Sequence, residues 1–288
     1  MKATVGALLE KAVGELAADQ DADEARRDAQ VLLGFALSVP RAWLTAHADQ
    51  VIDPNAAERF EALVVLRAKG HPVAYLVGAK EFFGLLLRVT PDVLIPRPET
   101  EELVETALER LPHGETRKVL DLGTGSGCIA IAIASERPAA QVTAVDSSNS
   151  ALALARENAV AHGVEVEVLQ SDWFSALGGR RFDLVVANPP YVAADDAHLR
   201  QGDLRFEPRA AIAAGADGLA DIRRIAGAAP KHLHPGGWLL IEHGYDQAEA
   251  CRDLLHDGGF ADLVSRADIA GLRRIAGGRL LTPDSPTR

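Results

Sequence analysis

The sequence predicts an α/β fold, a mostly parallel sheet covered by helices on both faces, with a small helical bundle ahead of it. Three observations carry this. Apolar strand patterns alternate with helical ones from residue 117 onward, which is the signature of parallel strands joined by crossover helices. Residues 1–72 carry helical spacing and no strand pattern. Between the two lies a stretch whose apolar runs are broken by Gly78 and Gly84.

A chain of 288 residues exceeds the usual single domain, so two unequal units are expected. Hydrophobic residues make up 48% of it, enough for a sizeable core. In the first unit Leu8, Leu9, Val13 and Leu16 fall at near-helical spacing, as do Phe60, Leu63 and Val64. Asp53-Pro54 predicts an N-cap followed by proline in the first turn, with Gly70 as the stop. In the connector, Val73–Val77, 81–83 and 85–89 read as a β-hairpin over 73–97. Ile95-Pro96-Arg97-Pro98-Glu99-Thr100 closes it, its prolines forcing extended backbone before a helix whose apolar face is Leu103, Val104, Ala107, Leu108 and Leu111.

Over 98–288 the strand candidates are Lys118–Leu122, 141–145, 165–170, Phe182–Ala187 and 238–242. Helical stretches lie near 127–136, 149–162, 217–233 and 246–257, and segments near 260–267 and 272–281 supply an antiparallel edge. The expected sheet therefore has seven strands, with ligands beyond the carboxyl ends of the parallel ones. Residues 282–288 read as a frayed tail.

Net charge narrows the function. At −11 the chain opposes the phosphate attraction on which nucleic-acid binding rests, so no direct nucleic-acid binding is expected. Cys128 and Cys251 form neither a disulfide framework nor a metal-ligand spacing, and no metal is expected. Charges interrupt the first eleven residues, and no apolar run reaches membrane-spanning length. The expectation is a soluble, cytoplasmic protein without a membrane partner.

Two loops carry the chemistry. Gly123, Thr124, Gly125, Ser126 and Gly127 follow one strand and open a helix, where glycines let backbone approach a ligand closely. A dinucleotide fingerprint would need glycine at 128, where this chain has Cys128. Asp146 ends the next strand at the spacing of a carboxylate that accepts from both ribose hydroxyls; its other reading is a cap for the following helix. Asp172 beside Trp173 has the chemistry to accept from an adenine amino group while the ring packs near the base, or the aromatic residues are plain core. Asp121 either orients the glycine loop or binds the cofactor's amino group. Arg97, Glu99 and Thr100 read equally as an interdomain salt bridge with a helix cap, or as part of a lid.

The second loop is Asn188-Pro189-Pro190-Tyr191 at the end of the run Phe182–Ala187. Two prolines remove two backbone donors and leave carbonyls free. An asparagine oxygen beside such a carbonyl gives two convergent acceptors, which suit a planar –NH2 group. With a nucleoside cofactor opposite, the pair reads as methyl transfer from S-adenosylmethionine to an amide or an exocyclic amine. His198 and His243 read as structural or surface residues. The polar segment 193–206 is long for a loop in such a sheet.

Together these motifs resemble the class I methyltransferases, with their Rossmann-like seven-stranded domain. More narrowly they resemble the HemK/PrmC family of release-factor glutamine methyltransferases. The likeness spans nearly the whole chain and includes Glu207-Pro208, Asp217-Gly218-Leu219 and Glu242-His243-Gly244. It implies the glutamine of the Gly-Gly-Gln motif in class 1 peptide-chain release factors as substrate, methylated on its side-chain nitrogen. It also implies that Gly123, Gly125, Gly127, Asp146, Trp173 and Asn188 line the cofactor's pocket, and that Asn188, Pro189, Pro190 and Tyr191 hold the glutamine. On this likeness residues 1–72 recognise the substrate protein. Adenine and guanine amino-methyltransferases of DNA or RNA share the quartet and form the rival reading. A non-catalytic binding module that kept the fold is the third.

Overall fold

The computed structural model describes residues 3–18 and 20–281; the tail at 282–288 lies outside them. The chain divides into two compact units, Met1–Ala79 and Lys80–Arg288.

The first unit is helical: α1 (Val5–Leu16), α2 (Ala22–Leu37), α3 (Arg41–Ala46), α4 (Pro54–Ala68) and α5 (Val73–Val77). Asp53 caps α4 by accepting from Asn55 N and Ala56 N, and Pro54 opens the helix, where its missing donor costs nothing. Leu8, Leu32, Leu33, Leu44, Phe60 and Val64 form the core of this unit. Val73–Val77, expected as part of a hairpin, is a helical turn instead. Pro72 pre-sets its entry, and Gly78 in the left-handed region at φ +70° ends it. Five residues of apolar sequence carry no period that separates one helical turn from a strand.

The hairpin is thus confined to β1 (Ala79–Phe82) and β2 (Leu85–Arg88). Its two-residue turn, Phe83-Gly84, has φ +52° and +74°, the mirror-image geometry that matches strand twist. The second unit continues with α6 (Glu99–Leu108), β3 (Lys118–Leu122), α7 (Cys128–Glu136), β4 (Gln141–Asp146), α8 (Asn149–Ala161), β5 (Val166–Gln170) and β6 (Phe182–Ala187). It ends with α9 (Ala220–His232), β7 (Leu233–Glu242), α10 (Ala248–Asp257), β8 (Phe260–Ala267) and β9 (Arg273–Leu280).

The seven-stranded sheet runs β5-β4-β3-β6-β7-β9-β8. Strands β3 to β7 pair in parallel, and β9 joins β7 and β8 antiparallel. Alternation along β3 sends Val119 to one face and Leu120 and Leu122 to the other. Val119 packs with Leu103 and Val104 of α6 and Ile129 and Ile133 of α7. Leu120 and Leu122 pack with Ile222 and Ile225 of α9 and Cys251 and Leu255 of α10. Segment 193–206 is wound into 3₁₀ turns rather than left as an open loop. Among the described residues no helix is long and apolar enough to cross a membrane.

Strand order reverses at β3 and β6, which is where a ligand crevice forms in such sheets. Register makes this specific. Leu122 pairs with Ala187, so Gly123 and Asn188 leave the sheet side by side. Ala187 pairs in turn with Ile241, which places Glu242 next in line beyond Asn188.

Candidate active site

A cleft of about 500 Å³ opens at those strand ends, in the range of small-molecule sites. Its wall includes Gly123, Thr124, Gly125, Ser126, Asp146, Asp172, Trp173, Asn188 and Pro190, together with Arg97 and Thr100. Gly127, Pro189 and Tyr191 are not part of that wall.

The glycine loop is held from both ends. Gly123 N and Thr124 N both donate to Val145 O at 2.9 Å, and the Thr124 hydroxyl donates to Asp121 Oδ2 at 2.6 Å. Asp121 is fully buried, and burial pushes its pKa up to about 7 although Thr124 pulls it down. It orients the loop and does not reach the cleft. Gly123 has φ +72°, and a Cβ there would sit 3.3 Å from Trp173 Cζ3, so the indole packs directly on the loop backbone. Gly127, at φ +85°, serves packing: a Cβ would lie 2.9 Å from Ile131 Cδ1 and 3.2 Å from Ala155 Cβ.

Asp146 stands in the cleft wall and is not the cap of the following helix. Its Oδ2 accepts from Gly125 N and its Oδ1 from Ser148 N, each at 2.9 Å, while Ser148 itself caps α8. Each carboxylate oxygen retains a further lone pair for a diol. Trp173 sits at φ +50°, strained for a bulky residue, and its indole N–H donates to Asp221 Oδ1 at 3.2 Å. Asp172 pairs with Arg224 at 2.7 Å. Asp221 and Arg224 carry no local signal in the sequence; they lie on α9 and join the cleft wall beside Trp173 and Asp172.

Around Asn188 the polar groups form one chain. Asn188 Nδ2 donates to Thr100 Oγ1 at 3.1 Å, and Thr100 is only 1% exposed. The Tyr191 hydroxyl donates to Glu242 Oε1 at 3.3 Å, while Glu242 Oε2 is buried with no hydrogen-bond partner among the described residues. One hydroxyl is little for a fully buried carboxylate, and burial pushes its pKa up to about 7, against the pull of the neighbouring Thr100 and Tyr191 hydroxyls. Tyr191 is raised too, by burial and then by the Glu242 charge. Among the described residues Asn188 Oδ1 is buried and has no partner. A buried acceptor left open is costly without a ligand to fill it.

The turn is also clamped from behind. Gln247 Nε2 donates to Tyr191 O at 3.0 Å, and Gly244 N donates to Gln247 Oε1 at 2.9 Å. Arg97 is ion-paired with the buried Glu207, whose other oxygen accepts from Ile95 N at 3.1 Å. Burial raises Glu207 while Arg97 holds it down. Arg97 is thereby a fixed part of the wall. His198 is a surface residue against Asp196. His243 is buried, its Nδ1 within 2.7 Å of Gly244 O, and burial lowers its pKa. Neither histidine lines the cleft.

These residues fit S-adenosyl-L-methionine. Glycines without side chains leave room over the loop, Asp146 offers lone pairs at the end of β4, and Trp173 supplies a flat apolar face. Asn188 Oδ1 waits at the neighbouring strand end for a hydrogen-bond donor.

Residues 7–78 match the family model of the PrmC N-terminal domain, and residues 101–204 match that of the methyltransferase small domain. Among curated proteins, the release factor glutamine methyltransferase of Burkholderia pseudomallei is 54% identical over 260 residues, spanning 88% of this chain and 91% of that protein. Its namesake from Xylella fastidiosa (strain Temecula1) is 52% identical over 255 residues, 88% of this chain and 93% of that one. That of Vibrio cholerae is 45% identical over 286 residues, 98% and 99%. Solved structures share the fold: a methyltransferase from Pyrococcus furiosus has a TM-score of 0.54 at 17% identity, covering 77% of this chain and 98% of that one. The T. thermophilus 16S rRNA N2 G1207 methyltransferase, in complex with AdoMet and guanosine, has a TM-score of 0.52 at 21% identity, covering 70% and 49%. With identities of this size along almost its entire length, the chain belongs to the release factor glutamine methyltransferase family.

Proposed function

We infer that this enzyme methylates the side-chain amide nitrogen of the glutamine in the Gly-Gly-Gln motif of class 1 peptide-chain release factors. S-adenosyl-L-methionine, when bound, supplies an activated methyl group and leaves as S-adenosyl-L-homocysteine. Gly123, Thr124, Gly125, Ser126, Asp146, Asp172 and Trp173 would hold it, with Gly127 keeping α7 close behind the loop.

An amide nitrogen is a poor nucleophile because its lone pair is delocalised into the carbonyl. The work left to the protein is alignment, which is worth roughly 7–11 kcal/mol at its best. Asn188 Oδ1 accepts one hydrogen of the glutamine –NH2; Pro189, expected to supply the second acceptor, lies outside the cleft wall, so its carbonyl is not assigned that role. The Asn188 oxygen favours electron density on nitrogen and the positive charge that develops there. Once methylated, the nitrogen sheds a proton to solvent, so no strong base is needed. Pro190 lines the slot, and Tyr191, tied to Glu242, anchors the turn.

The observation that carries this reading is the open buried acceptor of Asn188 beside the glycine loop. The reading places the enzyme in the cytoplasm with its protein substrate and assigns no direct contact with nucleic acid, in keeping with a net charge of −11. Residues 1–72 serve recognition of the release factor.

Incubation with labelled cofactor, a purified class 1 release factor and, separately, DNA and RNA tests it. Label is expected on the motif glutamine, located by peptide mapping. Label confined to adenine or guanine amino groups overturns the substrate while leaving the slot for a planar –NH2 intact.

A further inference from the structure

The open acceptor on Asn188 depends on which way its amide faces, and nothing in the residue itself settles that. Oδ1 and Nδ2 are alike in shape, so the surrounding hydrogen bonds decide. Only one orientation serves a substrate –NH2: the oxygen must face the cleft, because an –NH2 there would meet the substrate's own donors.

The neighbours supply the rule. A threonine hydroxyl has one proton and two lone pairs. Thr100, on the first turn of α6, neighbours the Glu242 carboxylate, whose buried Oε2 has no partner among the described residues and can take that proton. Toward Asn188 the Thr100 oxygen is then an acceptor only, and it receives Nδ2 at 3.1 Å. Register fixes the carboxylate beside this spot, since Ala187 pairs with Ile241 and the next residues are Asn188 and Glu242. Tyr191 donates to Glu242 Oε1 from the far end of the same turn at 3.3 Å, which leaves Oε2 as the oxygen open to the Thr100 proton. Asn188 Oδ1 is left buried and without a partner among the described residues, on the side away from Thr100.

We propose that Thr100 and Glu242 form an orientation lock that turns the Asn188 amide so that its oxygen, not its nitrogen, faces the substrate. Both are positioning residues acting through Asn188. The proposal rests on the glutamine-methylating reading above and deepens it. Neither residue touches the glutamine; they set the polarity of the atom that does.

Thr100→Val keeps the side-chain shape and removes the hydroxyl. Its single-turnover rate toward the release factor is expected to fall about 30-fold, the effect of losing one buried hydrogen-bond partner. Cofactor affinity by calorimetry and KM for the release factor stay within about twofold, and Thr100→Ser recovers most of the lost rate. In an Asn188→Ala background Thr100→Val costs less than about a further twofold, because coupled residues do not add. Additive losses, or a loss expressed as cofactor affinity, overturn the proposal. If Thr100→Val fails to fold, as judged by circular dichroism, Glu242→Gln replaces it: its amide can donate to Thr100 and free that proton for Asn188 Oδ1, so the same fall in rate with Asn188-dependent coupling is expected. A Glu242→Gln enzyme as fast as wild type overturns the lock.

A second arm is independent of turnover. With ¹⁵N-asparagine labelling, the Asn188 side-chain amide hydrogens are expected to exchange with solvent about tenfold faster in Thr100→Val than in wild type. Unchanged exchange overturns the lock. Failure of the wild-type chain to methylate the release factor defeats the functional reading instead, and the exchange arm still decides the geometry.

Discussion

Gly218 lies directly against the carbonyl oxygen of Tyr191: a methyl group on its Cα would stand 2.2 Å from that oxygen and 2.7 Å from Gln247 Nε2. Backbone here cannot give way cheaply, because Gln247 bonds both Tyr191 O and Asp217 O. Gly218 also has φ +72°, where a side chain adds strain of its own. Gly218→Ala is therefore expected to lower stability by about 2–4 kcal/mol. The single-turnover rate should fall by roughly 100-fold, as the Asn188–Tyr191 turn is pushed toward the cleft. Denaturant unfolding and rapid-quench kinetics check the two halves. An unchanged rate would mean that the turn does not set the reacting geometry.

Asn188→Ala separates holding the substrate amide from holding the cofactor. Removing one preorganised polar contact to a reacting group costs on the order of 10²–10³ in turnover. Asn188 contributes no bond to the glycine loop or to Asp146, so cofactor affinity measured by calorimetry should change less than about threefold. A single-turnover rate near that of wild type would remove Asn188 from the mechanism.

Asp146 does two jobs with two oxygens, and the substitutions Asp146→Ala and Asp146→Asn divide them. Alanine abandons Gly125 N and Ser148 N together. Asparagine keeps one acceptor and turns an –NH2 toward the other donor. Alanine should weaken cofactor binding about 100-fold, from lost ribose acceptors and a loosened loop, and asparagine by a smaller factor. Equal affinities for all three proteins would show that Asp146 meets only backbone.

The sequence announces the parts of this site that are local and hides those that are not. Glycines after β3, a carboxylate ending β4 and a paired proline after β6 are each readable within a few residues, because strand ends and turns carry their own chemistry. Thr100 was visible but ambiguous: its hydroxyl acts on Asn188, 88 residues away. Gln247 gives no signal at all, since its role is to meet Tyr191 56 positions upstream. Asp221 and Arg224 are ordinary helix-surface residues until α9 brings them to Trp173 and Asp172. Tyr191 reads as part of a substrate slot, yet its hydroxyl turns inward to Glu242 and away from the cleft wall. At Val73–Val77 the limit is length, because one helical turn and one short strand look alike in five apolar residues.

Arg67 ties the first unit together. Its side chain is 9% exposed and meets Asp28 at 2.7 Å, Glu24 at 3.5 Å and Gln20 Oε1 at 3.1 Å. Arg67→Met leaves Asp28, 16% exposed, without its cation. Breaking a buried pair costs about 3–5 kcal/mol, and the partial exposure of Asp28 and Glu24 brings the expectation to about 2 kcal/mol. Thermal unfolding followed by circular dichroism measures it.

Glu242 gives stability and activity opposite pH dependences. Its pKa is about 7 in the folded chain against an ordinary 4.5. Burial is the main cause and the Glu99 charge adds to it, while Thr100, Tyr191 and Arg274 pull the other way. Between these values the folded chain binds more protons than the unfolded one, so stability falls as pH rises from about 4.5 to 7. At about 1.4 kcal/mol per unit, the penalty above pH 7 has an upper limit near 3 kcal/mol. Glu242→Gln lacks it, so its stability relative to wild type should rise between pH 5 and pH 8, read by denaturant unfolding at each pH. Asp121 is also raised to about 7, but it is present in both proteins and cancels in the comparison. Activity runs the other way. A protonated Glu242 no longer obliges Thr100 to accept from Asn188, so the wild-type single-turnover rate should decline as pH drops through about 7. In Glu242→Gln that step disappears and the rate stays low throughout. A wild-type step that survives in the variant would place the titrating group elsewhere.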